Sequence, residues 1–189
     1  MLKLNHLFVI LLLFLTILFP AQVNSAQEKS DIWLLVDTRN LTLDVKLGNI
    51  TLVQFKNIAI GRNGSGFKKR RGDDTTPLGT YKISWVNQKS RYKLFFGFDY
   101  PSTDNAYKAL QSGLVNTRTY RSIVKAHKNN QVPPQNTPLG GMIGIHGLGS
   151  ADKKIHKSMN WTHGCIALDN DQIEQLKQWV KIGTTVVVK

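Results

Sequence analysis

Apolar and polar residues alternate between residues 31 and 61, and this period of two constrains the fold more than any other feature of the sequence. The alternation is clearest from Leu41 to Leu47, where every second residue is apolar. Such a period is typical of a strand with one face in the core. We therefore expect an antiparallel sheet here, with strands at 32–37, 41–46 and 51–60 and a turn at Gly48 and Asn49.

Further short strands and a few helices complete the predicted fold. Strands are expected at 81–86, 92–100, 142–146 and 184–188. The polar segment 102–135 has helical spacings, with Gly113 ending a first helix and Asn116 capping a second. The clearest helix is predicted at 169–180, where Asp169 begins a run of capping residues. The chain is therefore expected to be mainly β, with a small helical insertion and one helix after Cys165.

The first 25 residues have the pattern of a secretory signal peptide. Lys3 precedes an apolar run from Leu7 to Phe19, and small residues surround Ser25, after which cleavage is expected. The apolar run is shorter than the roughly 20 residues that span a bilayer. We therefore predict an exported protein of the periplasm or cell wall without a membrane span after cleavage, whose residues 26–189 form one domain.

The chain is strongly basic, with a formal net charge of +13 at pH 7. A positive surface attracts polyanions, and an exported protein meets anionic wall polymers and lipid head groups rather than nucleic acid. A solvated surface that is simply basic fits the composition equally well. The glycine-rich loop 61–80 precedes a predicted strand rather than a helix, so we exclude a nucleotide-binding loop.

Cys165 is the single cysteine of the sequence, so it has no internal partner for a disulfide. A free cysteine either packs as a small apolar residue or reacts, and the two nearby histidines favour a nucleophile. We predict that His146, at the end of a strand, is the general base and that His163 has a secondary role near the oxyanion or substrate. Gly164 permits a tight turn, which makes the backbone N–H groups of Gly164 and Cys165 candidate oxyanion donors.

A zinc site is the main chemical alternative for this stretch. The candidate ligands are His146, His156, His163 and Cys165. Their spacing fits no helical zinc motif, so we predict no metal and no other cofactor. His156 and His127 are instead predicted to be solvated side chains.

The residues around Cys165 resemble a known catalytic signature. His146 is followed after fifteen residues by the sequence THGCI at 162–166, as in the L,D-transpeptidases of the YkuD type. The segment 76–81 resembles the family's Thr-Pro-x-Gly-x-Tyr/Phe motif, and 140–147 resembles its strand before the catalytic histidine. The resemblance extends over essentially the whole mature chain, from about Ile32 to Val188.

This resemblance implies a YkuD-like β-sandwich that acts on peptidoglycan stem peptides as donor and acceptor. Family members release D-alanine from a tetrapeptide stem, form a thioester on the cysteine and pass the acyl group to an amine, which gives a 3-3 cross-link or another attachment. Catalytic roles would fall to Cys165, His146, His163 and Gly164. The expected substrate-binding residues are Thr162, Gly147, Arg91 and Trp161.

Ala167 departs from the family pattern, because many members carry Arg or Asn two residues after the cysteine. The chain resembles a Gly-Cys-Ile-Ala subgroup, and the missing contact to a substrate carboxylate would come from Arg91 or the basic run 68–71. Two further functions stay open. The same acyl-enzyme could be hydrolysed, as in an L,D-carboxypeptidase or amidase, or the domain could bind the wall without catalysis. The oligomeric state is also open.

Overall fold

An eight-stranded mixed sheet organises residues 32–189, which are the residues that the computed structural model describes. The strands in chain order are β1 (Ile32–Asp37), β2 (Thr42–Leu47), β3 (Ile50–Lys56), β4 (Ser65–Gly66), β5 (Thr76–Pro77), β6 (Gly79–Asn87), β7 (Phe95–Phe98), β8 (Gly144–His146), β9 (Ile166–Ala167) and β10 (Thr185–Val188). Their order in the large sheet is β3-β2-β1-β10-β6-β7-β8-β9, and β4 pairs with β5 separately. The prediction of a mainly β fold is confirmed.

The large sheet curls so that its two ends approach each other. Ala167 of β9 exchanges two backbone hydrogen bonds with Ala59, which follows β3, at 2.8 and 3.0 Å. Alternate residues of the central strands fill the enclosed core and are fully or almost fully buried: Leu34, Val36, Leu43, Val45, Tyr81, Ile83, Val186 and Val188. The two-residue period of the sequence therefore corresponds to the buried face of the sheet.

Within residues 32–189, four helices lie outside the sheet. They are α1 (Thr103–Gln111), α2 (Thr117–Lys128), α3 (Lys153–Ser158) and α4 (Asn170–Lys177). The predicted helical insertion is confirmed as α1 and α2, and the Asn116 side chain caps α2 by accepting from the Thr119 N–H at 2.9 Å. Asp169 is the N-cap of α4, as predicted, although α4 ends three residues before the expected residue 180. Helix α3 was not predicted.

Four strands are shorter than the sequence predicts, including 142–146, observed as Gly144–His146, and 184–188, observed as Thr185–Val188. In the two that lose most, a left-handed residue lies directly beyond or just before the strand. The strand predicted at 51–60 ends at Lys56 because Asn57 has a φ of 58°. The strand predicted at 92–100 is reduced to Phe95–Phe98, with Lys93 at a φ of 73° just before it. A left-handed residue turns the chain away from the strand direction and ends the regular pairing.

The predicted signal peptide at residues 1–25 lies outside the described residues. Within residues 32–189 no helix has the length and apolar character needed to cross a membrane.

Candidate active site

The pairing of β8 with β9 brings His146 and Cys165 to one cavity. His146 is the last residue of β8, and Cys165 directly precedes β9, which runs parallel to β8 with His146 opposite Ala167. Both side chains line a cavity of about 500 Å³. The sheet therefore joins two residues that are nineteen positions apart in the sequence.

His146 is buried among aromatic rings. Tyr92 stacks on the imidazole with ring centroids 4.4 Å apart, Phe95 lies parallel at 6.2 Å, and Trp161 approaches edge-on at 5.9 Å. The Nδ1 atom lies 2.6 Å from the carbonyl oxygen of Gly147. Because a carbonyl only accepts, Nδ1 carries the proton and Nε2 presents a lone pair.

Burial also determines the charge of this imidazole. It lowers the pKa of His146 to about 4, although the hydrogen bond to the Gly147 carbonyl acts in the opposite direction. His146 is therefore neutral at pH 7. A neutral imidazole with a free Nε2 has the protonation state that a general base requires.

The Cys165 thiol is half-buried and protonated at rest. Burial raises the pKa of the thiol to about 11, partly offset by a hydrogen bond from the Gly144 backbone N–H and by the positive charge of Lys68. The thiol donates to the Met142 carbonyl oxygen at 3.3 Å. Attack by this sulfur therefore requires that its proton be removed during the reaction.

The turn before Cys165 is fixed by Thr162 and Gly164. The Thr162 hydroxyl donates to the Cys165 carbonyl at 2.6 Å and accepts from the Gly164 N–H at 3.1 Å. Gly164 has a φ of 123°, and a Cβ atom there would lie 2.7 Å from the Thr75 carbonyl oxygen. The Gly164 N–H is thus engaged within the turn, which leaves the Cys165 N–H as the other predicted oxyanion donor.

His163 lies at the rim of the cavity and forms a charged cluster. Its side chain is 75% exposed, and Nδ1 lies 2.6 Å from a carboxylate oxygen of Asp74. The Arg62 guanidinium lies 3.2 Å from the His163 ring and 3.5 Å from Asp74. The hydrogen bond from His163 is the main cause that lowers the pKa of Asp74. This geometry directs His163 toward Asp74 at the rim of the cavity.

Three of the four predicted substrate-binding residues line the cavity, and the fourth does not. Thr162, Arg91 and Trp161 line the cavity, whereas Gly147 is buried behind it and holds His146 through its carbonyl group. The role expected of Arg91 is geometrically possible, since this exposed side chain lies against the Tyr92 ring, with its Cζ atom 4.8 Å from the centroid.

Lys68, the first residue of the basic run 68–71, does not supply the contact to a substrate carboxylate that Ala167 lacks. That side chain is 3% exposed and pairs with Asp73, outside the lining of the cavity. Ala167 itself is fully buried. Arg62, which the sequence did not indicate, is the second arginine of the cavity.

The prediction that His156 is solvated is wrong. His156 lies on α3 and is 3% exposed, and its Nδ1 accepts from the Trp161 indole N–H at 3.2 Å. Its Nε2 faces an Asp169 carboxylate oxygen at 4.0 Å. His127 is half-buried rather than solvated, with Nε2 2.8 Å from the Pro101 carbonyl oxygen. Within residues 32–189 no three side chains of the ligand types are placed to hold a metal.

Comparison with known proteins identifies the family. The matching family model is the YkuD L,D-transpeptidase catalytic domain, over residues 31–188. Among solved structures, the chain is similar to the helical cell shape determining protein Pgp2 from Campylobacter jejuni, with 23% identity, a TM-score of 0.57, and coverage of 84% of this chain and 47% of Pgp2. It is also similar to Bd1075 of Bdellovibrio bacteriovorus, with 18% identity, a TM-score of 0.54, and coverage of 87% and 50%.

The chain spans about half the length of both structures, and these identities show a shared fold. No curated protein matches the sequence. Because the family model matches the chain from residue 31 to residue 188, the protein belongs to the YkuD family of L,D-transpeptidase catalytic domains.

Proposed function

We propose that the protein is an exported cysteine acyl transferase that acts on peptidoglycan stem peptides as an L,D-transpeptidase. The observation that carries the proposal is the presence of Cys165 and the neutral, buried His146 in one cavity of a YkuD-family chain. A cysteine acyl transferase needs a thiol nucleophile, a nearby base and room for the peptide. The proposed function uses all three features.

The reaction follows from the protonation states at rest. His146 Nε2 takes the thiol proton as the Cys165 sulfur attacks the carbonyl carbon of the L,D-amide. The Cys165 N–H would stabilise the oxyanion that forms. The C–N bond then breaks, His146 returns the proton to the departing D-alanine amine, and a thioester remains on Cys165.

The charges at the rim fit an anionic peptide. Arg62 and Arg91 both line the cavity, where they would hold carboxylates of the stem peptide in place of an arginine at position 167. His163 lies beside Arg62 and would contact the same part of the substrate. Trp161 and Thr162 complete the binding surface next to the sulfur.

The second half of the reaction transfers the acyl group. An amine of another stem peptide attacks the thioester and regenerates the thiol, which produces a cross-linked dimer. If water attacks first, the same acyl-enzyme gives a shortened stem peptide instead. Analysis of the products distinguishes attack by an amine from attack by water.

The test uses residues 26–189 and a disaccharide tetrapeptide, with products identified by mass spectrometry. We expect a cross-linked dimer with release of D-alanine, and no product with the Cys165→Ala variant. Tripeptide without dimer would identify a hydrolase and reject transfer for this substrate. If the protein binds isolated walls but forms no product, it is a binding module, and the proposal is rejected.

A further inference from the structure

Gln135 holds three backbone groups beside the active site with a single side chain. Its Nε2 donates to the carbonyl oxygens of Tyr100 and Pro133, both at 2.8 Å, and its Oε1 accepts from the Met142 N–H at 2.6 Å. The amide of this half-buried residue thus connects two fixed segments to the turn at Met142. An amide anchored on both its donor and acceptor sides has little freedom to rotate.

The turn that Gln135 contacts has an unfavourable backbone conformation. Met142 has a φ of 56°, a value that residues other than glycine rarely adopt. The backbone before it is pressed against Gln135, because a Cβ atom at Gly141 would lie 2.1 Å from the Gln135 carbonyl oxygen. A conformation of this kind persists only where neighbouring groups fix it.

The Met142 carbonyl oxygen accepts the hydrogen bond of the Cys165 thiol, with a distance of 3.3 Å from the sulfur. The left-handed turn at Met142 therefore determines where this acceptor lies. The path from Gln135 to the sulfur consists of one hydrogen bond to the Met142 N–H, one residue, and one hydrogen bond from the thiol.

We propose that Gln135 is a positioning residue that fixes the Met142 carbonyl against Cys165, and so aims the sulfur and keeps it protonated until substrate binds. This inference rests on the proposed function in that it takes Cys165 as the nucleophile. A hydrogen bond to the neutral thiol stabilises the protonated form, and a carbonyl oxygen facing a thiolate would repel it. Release of the carbonyl should therefore make the sulfur easier to ionise but less well aimed.

The charged and titratable groups around Cys165 are His146, Arg62, His163, Arg91 and Tyr92 in the cavity and the buried Lys68 outside its lining. A substitution at Gln135 leaves all six side chains in place. A change in the ionisation of the thiol would therefore report a change in the position of the Met142 carbonyl relative to the sulfur.

The test replaces Gln135 with methionine, which is similar in length and makes no comparable hydrogen bonds. The rate of alkylation by iodoacetamide is measured from pH 6 to pH 12 by peptide mass spectrometry of the segment that contains Cys165, the single cysteine of the chain, because lysine amines also react at high pH. We expect the midpoint of the profile to fall by about half to one pH unit. Turnover of the tetrapeptide should fall about tenfold or more, because the sulfur is less well aimed.

Gln131→Met is the matched control, since Gln131 is exposed in the same segment and should leave the midpoint unchanged. In the Gln135→Met protein, Met142→Asn should return the midpoint toward the parent value, because Asn tolerates left-handed backbone better than Met. If Gln135→Met does not fold, the shorter Gln135→Asn provides the same readout.

An unchanged midpoint in a folded Gln135 variant would overturn the proposal. A higher plateau rate without a shifted midpoint would also overturn it, because that result reports exposure of the thiol alone. Alkylation needs no substrate, so these outcomes are independent of whether the protein is a transferase.

Discussion

Replacement of Trp161 by phenylalanine should destabilise the protein while leaving its base in place. The indole N–H donates to His156 Nδ1 at 3.2 Å, and His156 is almost fully buried. Phenylalanine keeps an aromatic edge against His146, which lies 5.9 Å from the Trp161 ring. The substitution therefore removes the donor and leaves a buried imidazole nitrogen without its hydrogen bond.

The expected cost follows from that unpaired nitrogen. An unsatisfied buried polar group costs about 1–3 kcal/mol of unfolding free energy. For a domain of this size, that cost lowers the Tm by about 3–10 °C. The loss of kcat/KM, expressed as a free energy, should be smaller than the loss of unfolding free energy, because the ring that faces His146 remains.

Trp179→Phe provides a matched control. Trp179 is also half-buried, but its indole nitrogen is buried without a hydrogen-bond partner among residues 32–189. Removing this N–H leaves no acceptor unpaired, so Trp179→Phe should cost less than Trp161→Phe. Thermal and urea unfolding of both variants measure the difference. Equal destabilisation of the two would refute the importance of the Trp161 to His156 hydrogen bond.

Three further outcomes follow from the site. Because the pKa of His146 is lowered to about 4 and the neutral form is the base, kcat/KM should persist below pH 6.5 and be lost as the pH falls through about 4; a pH profile with an acid limb near 6.5 would contradict this. Gly164→Ala should cost about 2–4 kcal/mol, since its φ is 123° and a Cβ would meet the Thr75 carbonyl oxygen; urea unfolding at parental stability would count against the fixed turn. Arg62→Ala and Arg91→Ala should each raise KM about three- to tenfold with little change in kcat, and unchanged KM in either would remove that arginine from substrate binding.

The sheet could be predicted from the sequence wherever one face of a strand is buried. The bounds of β1 are those predicted, because burial of one face produces a period of two that the sequence displays directly. Asn57 and Lys93 could not be identified as strand ends, since their left-handed backbone depends on the surrounding structure. Helix α3 has six residues, three of them lysine and one of them isoleucine, so it shows no apolar face that a pattern could reveal.

The candidate site was predictable to the extent that it is local in sequence. Cys165 and His146 lie in one motif, and their position at neighbouring strands follows from that motif. Arg62 reaches the cavity because Gly61 forms a bridge with Thr162, about one hundred residues away. Such long-range pairing gives no signal in a single sequence. The burial of His156 likewise depends on Trp161 and α3 packing together.

The central claim is that Cys165 forms a thioester with the stem peptide, with His146 as its base. Intact-mass spectrometry of residues 26–189, quenched in acid soon after mixing with the disaccharide tetrapeptide, tests it most directly. The account predicts an adduct equal in mass to the donor without D-alanine, located on Cys165, absent in Cys165→Ala and strongly reduced in His146→Ala. An adduct that persists in Cys165→Ala, or forms at the parental rate in His146→Ala, would contradict it.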